Sequence, residues 1–287
     1  MRIIRGTNNI TDPIPYPVMA IGNFDGVHVG HQTLFRKAAE LALAHEGTSI
    51  AFTFEPHPLK IIAPEKVPPM LTHFKKKMEL IESFGINMVI CADFTRKFAD
   101  QQPRDFSKNI LFEKIAVKEI VVGFDYAFGC GREGTIPYLK KMGEEFGFQV
   151  HVVEPFKLDG HTVSSSHVRE LIEAGQVETA SQFLGRDYSI IGPVVAGYKT
   201  GQAIGFPTAN IDTSKVQIPG TGVYAVRVVY ENESHDGVAN IGFNPTFHRD
   251  RLSVEVHIFD FNKVIYRKEI EVQFIARIRS EITFKSA

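Results

Sequence analysis

Along the first two-thirds of the chain, short, mostly apolar runs alternate with longer stretches in which apolar residues recur every three or four positions. Residues 18–22, 49–54, 86–91, 119–122 and 150–153 form the short runs and read as buried strands. Between them, residues 32–46 carry Leu34, Ala38 and Leu41 on one helical face, and Gly47 offers a stop. Residues 74–84 form a charged amphipathic helix, and 107–114 and 137–146 are further helical stretches. Strands separated by helices require parallel crossovers. The pattern therefore predicts a doubly wound, Rossmann-like α/β sheet covered on both faces. Ligands of such sheets sit at the carboxyl ends of the strands.

After Gly185 the texture changes. Residues 188–197, 222–230, 237–241, 251–261 and 269–278 are β-rich, with turns at Gly, Pro and Asn. Strands at such short spacing predict a closed or nearly closed antiparallel barrel. The intervening residues 166–184 read as a helical connector broken at Gly175, so the expected division is 1–185 and 186–287. No internal repeat or low-complexity tract interrupts this scheme.

Composition narrows the function. A length of 287 residues suits about two domains. Lys and Arg number 32 against 33 Asp and Glu, for a net charge of -1. That balance argues against a nucleic-acid binder with a basic footprint and against a polybasic membrane anchor. Two cysteines, Cys91 and Cys130, build no disulfide framework and point to a reducing compartment. No apolar run approaches the ~18 residues of a membrane span, and residues 1–13 lack a signal peptide's apolar core. The expectation is a soluble, cytoplasmic, two-domain protein, with enzyme as the leading class.

The candidate chemistry begins where the first strand meets the first helix. Gly22, Gly26 and Gly30 permit close backbone approach, and His28 and His31 flank one of these glycines. A helix N-terminus there offers free N–H groups to an anion, and two imidazoles beside it suit charge developing on a phosphate. A metal pair and a purely structural turn are the alternatives on these residues alone. The stretch 21–31, with its HxGH pair, resembles the nucleotidyltransferase superfamily in its bacterial flavin-adenylylating branch.

That resemblance implies that His28 and His31 act catalytically, and that Gly22, Phe24, Asp25 and Gly30 meet the phosphates of ATP. It also implies a second clamp, a Ser-Ser-x-x-x-Arg helix start, found here as Ser164, Ser165 and Arg169. Hydroxyls, N–H groups and an arginine at a helix start suit phosphate, although a serine there is more often a plain N-cap. Phe54–Pro58 and Gly123–Gly129 resemble two further turns of the branch. They imply flavin contacts at Pro56, His57, Asp125 and Phe128, with core packing as the alternative for the aromatic residues. Gly129, Gly131 and Gly134 also spell a formal GxGxxG, with Glu154 some 20 residues on, which raises an NAD-dependent oxidoreductase. The preceding strand is expected to end about six residues too early for that fingerprint.

In the barrel, Thr208 and Asn210 supply hard oxygen donors suited to Mg²⁺ and its phosphates. Residues 251–261 alternate, with Val254, Val256 and Ile258 on one face and Glu255 and His257 on the other. These stretches, with Gly222–Val226 and Val238–Gly242, resemble the riboflavin kinase domain. Nearly the whole chain is then similar to the bacterial bifunctional riboflavin kinase/FAD synthetase family. The resemblance implies Thr208 and Asn210 on Mg²⁺-ATP, and Glu255 as base for the ribityl hydroxyl. Gly197, Lys199 and Gly201 would cover the nucleotide phosphates.

The implied substrates and products are ATP, riboflavin, FMN and FAD, with small molecules rather than nucleic acid or membrane as partners. Two departures bear on the kinase half. Gln202 replaces the family's arginine, and the sequence stops at Ala287, where the family continues into a helix. The alternatives are an adenylyltransferase whose barrel only binds flavin, and a non-enzymatic flavin sensor.

Overall fold

Six strands build the first part of the molecule: β1 (Arg2–Arg5), β2 (Pro17–Ile21), β3 (Thr48–Glu55), β4 (Met88–Asp93), β5 (Glu119–Gly123) and β6 (Gln149–Val153). In this computed structural model, which describes residues 1–195, 208–213, 216–243 and 252–280, they lie in the order β1-β4-β3-β2-β5-β6. Every pairing is parallel. Strands β2 to β5 are buried almost throughout, as a sheet covered on both faces requires.

Alternate residues feed two separate cores. Met19, Ile21, Ile50 and Phe52 point to one, and Val18, Ala20 and Ala51 to the other. The helices are α1 (Val29–Ala44), the short α2 (Leu59–Ile62), α3 (Phe74–Ser83), the single-turn α4 (Arg96–Ala99), α5 (Pro103–Asp105) and α6 (Ile136–Phe146). A π-helical stretch, Phe106–Lys114, continues from α5. Helices α1 and α3 cover the Val18 face, and the π-helical stretch and α6 cover the Met19 face. A hairpin of β7 (Lys157–Leu158) and β8 (His161–Thr162) follows β6.

At the amino ends of the strands, Glu119 opens β5 from a buried position. Its carboxylate accepts the Tyr16 hydroxyl at 3.1 Å and bonds His151 Nε2 at 2.5 Å. His45 stacks on Tyr16 at 4.1 Å and brings its Nε2 to 3.6 Å from the same carboxylate.

The chain divides into two compact units, Met1–Pro68 with Phe74–Val163, and Pro69–His73 with Ser164–Ala287. The second begins with α7 (Ser165–Glu173) and α8 (Val177–Leu184), separated at Gly175 with φ +74°. A Cβ there would lie 2.7 Å from the Tyr224 hydroxyl, so the expected helix break also meets a steric need.

Strands β9 (Tyr188–Val195), β10 (Ala209–Ile211), β11 (Gly222–Tyr230), β12 (Glu233–Phe243), β13 (Leu252–Ile258) and β14 (Glu269–Arg279) close a barrel in the order β10-β13-β12-β11-β14-β9. Its interior holds Tyr188, Tyr224, Val226, Val228, Val256, Val272 and Phe274, all buried. The two tyrosine hydroxyls reach the carbonyls of Gln217 and Gly220, which answers the usual demand of a buried phenol. Arg277 ties the barrel to the helices of its own unit, donating to the carbonyls of Ala174 and Thr221.

Several strands depart from the sequence expectation. β1, β10 and the short β7–β8 hairpin are additional, and β12 starts four residues before the expected run. That start follows a two-residue turn at Glu231 and Asn232, both left-handed with φ of 50° and 66°. The polar residues Glu233–Asp236 pair with β11 through this hairpin, although nothing in their hydropathy announces a strand.

Candidate active sites

Between Ile21 and Val29 the first unit makes the turn that carries the HxGH pair. Gly22 is required by sterics, because a Cβ there would lie 2.7 Å from the Phe24 ring. Phe24, Gly26 and Val27 adopt φ of 54°, 82° and 44°. The left-handed region is strained for phenylalanine and more so for a β-branched valine. Such strain persists only where the surroundings over-determine it, and here the turn is held at both ends. The Asn23 carbonyl accepts the Thr53 hydroxyl at 3.2 Å and the Lys77 ammonium at 3.3 Å. The Val27 carbonyl accepts Gln32 Nε2 at 3.0 Å. The buried Phe24 ring leans on Phe35 at 4.6 Å and meets His31 edge-on at 5.3 Å.

His28 caps α1, its Nδ1 accepting the His31 amide at 3.3 Å. A neutral ring that accepts on Nδ1 carries its proton on Nε2, so His28 presents Nε2–H as a donor. The His28 and His31 rings stack with centroids 3.6 Å apart and planes 16° from parallel. Gly30 leaves room for this stack, since a Cβ there would lie 3.2 Å from His28 Cε1 and Nδ1. His31 Nδ1 is buried with no hydrogen-bond partner among the described residues. Burial, then His28, then Lys77, pushes the His31 imidazole well below its ordinary range. His31 is therefore neutral at physiological pH. The positive character of the turn comes from the α1 N-terminus and the Lys77 ammonium.

The other residues expected in this unit divide into two groups. Pro56 and His57 follow β3, with His57 Nδ1 accepting the Leu59 amide at 3.1 Å. Asp125 is exposed just beyond β5, its carboxylate 3.4 Å from the space a Cβ on Gly123 would fill. With the HxGH turn they occupy the carboxyl ends of β3, β2 and β5, three neighbours at the point where the strand order reverses. Phe24 and Phe128 instead turn inward. Phe128 packs on Phe106 at 5.5 Å and Tyr126 at 5.6 Å, so both rings belong to the core. Asp25 is buried and bears electrostatically on Lys77. The formal GxGxxG starts well past the end of β5, where Phe128 and Gly134 bridge backbone to backbone. That is not the tight strand–helix turn of a dinucleotide fingerprint.

In the second unit, Ser164 is the N-cap of α7, accepting the His167 amide at 3.2 Å, and Ser165 is the first residue of the helix. Arg169 donates its Nε to the Pro69 carbonyl at 2.9 Å.

On the barrel, register assembles the second candidate site. Glu255 of β13 lies opposite Asn210 of β10 on one side and Asn240 of β12 on the other. The Glu255 carboxylate is half-buried, makes no hydrogen bond among the described residues, and is pushed above the usual carboxylate range by burial. Thr208 is exposed just before β10. Gly197, Lys199, Gly201 and Gln202 lie outside the described residues. Hydroxyl, amide and carboxylate oxygens form a donor set that suits a hard cation shared with phosphates. Among the described residues, no group of three or more His, Cys, Asp or Glu side chains is placed to hold a metal ion by itself.

Sequence reasoning missed two residues here. Asn240 could have been found by register, since it lies opposite Glu255. Lys77 hides within three consecutive lysines, yet it falls on the apolar stripe of Phe74, Met78 and Ile81 at helical spacing.

Comparison with known proteins agrees with this two-part construction. Residues 14–167 match the FAD synthetase family and residues 184–287 match the riboflavin kinase family, which defines a class of flavin-nucleotide transferases. The chain is 37% identical over 289 residues to the bifunctional riboflavin kinase/FMN adenylyltransferase of Buchnera aphidicola subsp. Acyrthosiphon pisum, covering 100% of this chain and 92% of the relative. It is 37% identical over 288 residues to the protein of the same description from Escherichia coli strain K12, with the same coverage. The chain belongs to the bifunctional riboflavin kinase/FMN adenylyltransferase family. A solved structure described as a macrolide-efflux protein from Streptococcus pneumoniae superposes with a TM-score of 0.89 at 31% identity, over 100% of this chain and 94% of that one. No described helix here is long and apolar enough to cross a membrane.

Proposed function

We propose that this chain makes FAD from riboflavin in two steps, one on each unit. The observation that carries the reading is a single chain with two kinds of site. A stacked imidazole pair stands at a helix N-terminus by the switch point of its sheet, and a half-buried carboxylate with no hydrogen bond among the described residues stands on its barrel. On the barrel, the terminal ribityl hydroxyl of riboflavin attacks the γ-phosphorus of ATP. An O–P bond forms, the bond to the β-phosphate oxygen breaks, ADP leaves, and Glu255 takes the hydroxyl proton. Its raised affinity for protons suits a base. Thr208 and Asn210 would hold Mg²⁺, which neutralises phosphate charge when bound. Gly197, Lys199 and Gly201 are assigned to the nucleotide phosphates by resemblance.

In the first unit, a phosphate oxygen of FMN attacks the α-phosphorus of a second ATP, and pyrophosphate departs. FMN phosphate is already an anion, so no general base is needed. Catalysis then rests on position and on donors aimed at developing charge. His28, through Nε2–H, and His31 supply donors beside the α1 N-terminus. Gly22, Asp25 and Gly30 shape the turn, and Phe24 supports His31 from below. Ser164, Ser165 and Arg169 are assigned to ATP phosphates, and Pro56, His57, Asp125 and Phe128 to the flavin side, on the strength of the family resemblance. Both cysteines are free thiols, which suits a reducing cytoplasmic setting, as do the substrates. No nucleic-acid or membrane partner is part of the reading.

The test is to incubate the pure chain with ATP and Mg²⁺ and either riboflavin or FMN, and to separate the flavins by chromatography. FMN and FAD from riboflavin, and FAD from FMN, are the expected products. FAD from FMN with nothing from riboflavin would reduce the barrel to a flavin-binding module. No conversion of either flavin would overturn the reading.

A further inference from the structure

Lys77 takes part in no step described so far. It is 2% exposed on α3, and its ammonium lies 5.9 Å from the Phe74 ring centroid. It donates to the Asn23 carbonyl at 3.3 Å and to the Thr53 hydroxyl at 3.5 Å, and Thr53 in turn donates to the same carbonyl at 3.2 Å. The charged and titratable groups that face it are Asp25 in the turn, Glu55 at the end of β3, Cys91 in β4 and His31 on α1. Burying an ammonium is costly unless it is paired and bonded. A methionine would fill this position on the apolar stripe without that cost.

We propose that Lys77 is a positioning residue for adenylyl transfer: by tying down the Asn23 carbonyl it holds the turn that presents His28 and His31, and it supplies the buried positive charge behind them. The inference rests on the adenylyltransferase reading of the first unit. Asn23 immediately precedes Phe24, the first of the left-handed residues. Releasing its carbonyl removes one of the two clamps that keep Phe24 to Val27 in their strained conformations. A displacement of about 1 Å at the reacting groups costs on the order of 100-fold in rate. Burial disfavours the Lys77 ammonium, whereas Asp25, Cys91 and Glu55 favour it. Behind burial and His28, the ammonium adds to what disfavours protonation of His31. The two effects share one residue and one location.

The test uses Lys77→Met in the full chain, with thermal unfolding of the first unit measured as the check on its folding and riboflavin phosphorylation measured alongside as the activity of the other unit. The expected result is a kcat for FAD formation from FMN lower by about 100-fold, with KM for ATP little changed and phosphorylation retained. Lys77→Arg should recover part of the loss. In NMR titrations, His31 should protonate at higher pH in Lys77→Met than in the parent chain, a shift that a purely space-filling role would not produce. An unchanged kcat, a rise in KM alone, or an unmoved His31 titration would overturn the proposal. Should Lys77→Met fail to fold, Thr53→Val removes the other donor to the Asn23 carbonyl. It should lower kcat by about 10-fold, and an unaltered rate would remove the clamp. A parent chain that makes no FAD from FMN would sink the adenylyltransferase reading instead, and the His31 titration would still report on Lys77.

Discussion

The HxGH turn of the first unit and the Glu255 row of the barrel are both assigned to ATP, yet they are constructed in opposite ways. The turn gathers two left-handed non-glycine residues, a capping imidazole, a buried lysine brought in by α3 and a buried aspartate around one strand end. The row needs only regular β geometry. Once β10, β12 and β13 pair in register, Asn210, Glu255 and Asn240 line up across three strands without any strained dihedral. A site built on a turn depends on supporting contacts behind it, such as those of Gln32, Thr53 and the Phe24 ring. A site built on register depends on the barrel's interior alternation, to which many apolar side chains contribute interchangeably. Substitutions around the turn should therefore report on chemistry, and substitutions around the row mainly on stability.

The sharpest break of this comparison is His28→Ala. It removes a donor and a helix cap at once, and FAD formation from FMN should fall by about 1,000-fold while riboflavin phosphorylation continues. Retained adenylyl transfer would refute the assignment of the HxGH pair.

Next in size, Glu255→Gln should lower riboflavin phosphorylation by about 100-fold and leave FAD formation from FMN intact. A base must be deprotonated to act. Because burial raises the Glu255 pKa, kcat/KM for riboflavin should decline with falling pH from a value above the ordinary carboxylate range, and the acidic limb should vanish in the glutamine variant. A limb that persists unchanged would assign the titration to another group.

The smallest of the three concerns the far end of the sheet. Glu119→Gln weakens the bonds to Tyr16 and His151, and should destabilise the first unit by about 1–3 kcal/mol in denaturant unfolding. Both activities at permissive temperature should be unaffected. A loss of FAD formation without a loss of stability would show that the amino ends of the strands matter to the chemistry.

Much of the fold was legible because the strongest signals are local. The buried runs of β2, β3, β4 and β5 and the periodicity of α1 leave few alternatives to a parallel sheet. The alternation in β11 and β13 likewise leaves little besides a barrel. β1 escaped because Arg2–Arg5 is an edge strand with charged ends, and β10 because three residues carry no periodicity. The turn itself was legible through its glycines and histidines. What gives those residues their environment was not. That Phe24 is a support and that Lys77 stands behind the turn are tertiary facts, set by which helix packs on which face of the sheet. The lysine run 75–77 reads as solvated unless each position is placed on the helix stripe.

The cap on α1 carries one more consequence. Asparagine, aspartate and serine start helices better than histidine does, so evolution of this turn for stability alone would replace His28. His28→Asn should keep a capping oxygen and raise the unfolding free energy of the first unit by about 0.5 kcal/mol, while FAD synthesis disappears. A variant no more stable than its parent would mean that the imidazole stack repays what the cap forgoes. On the adenylyltransferase reading, the residue at position 28 sets helix capping, made through Nδ1, against phosphate contact, made through Nε2.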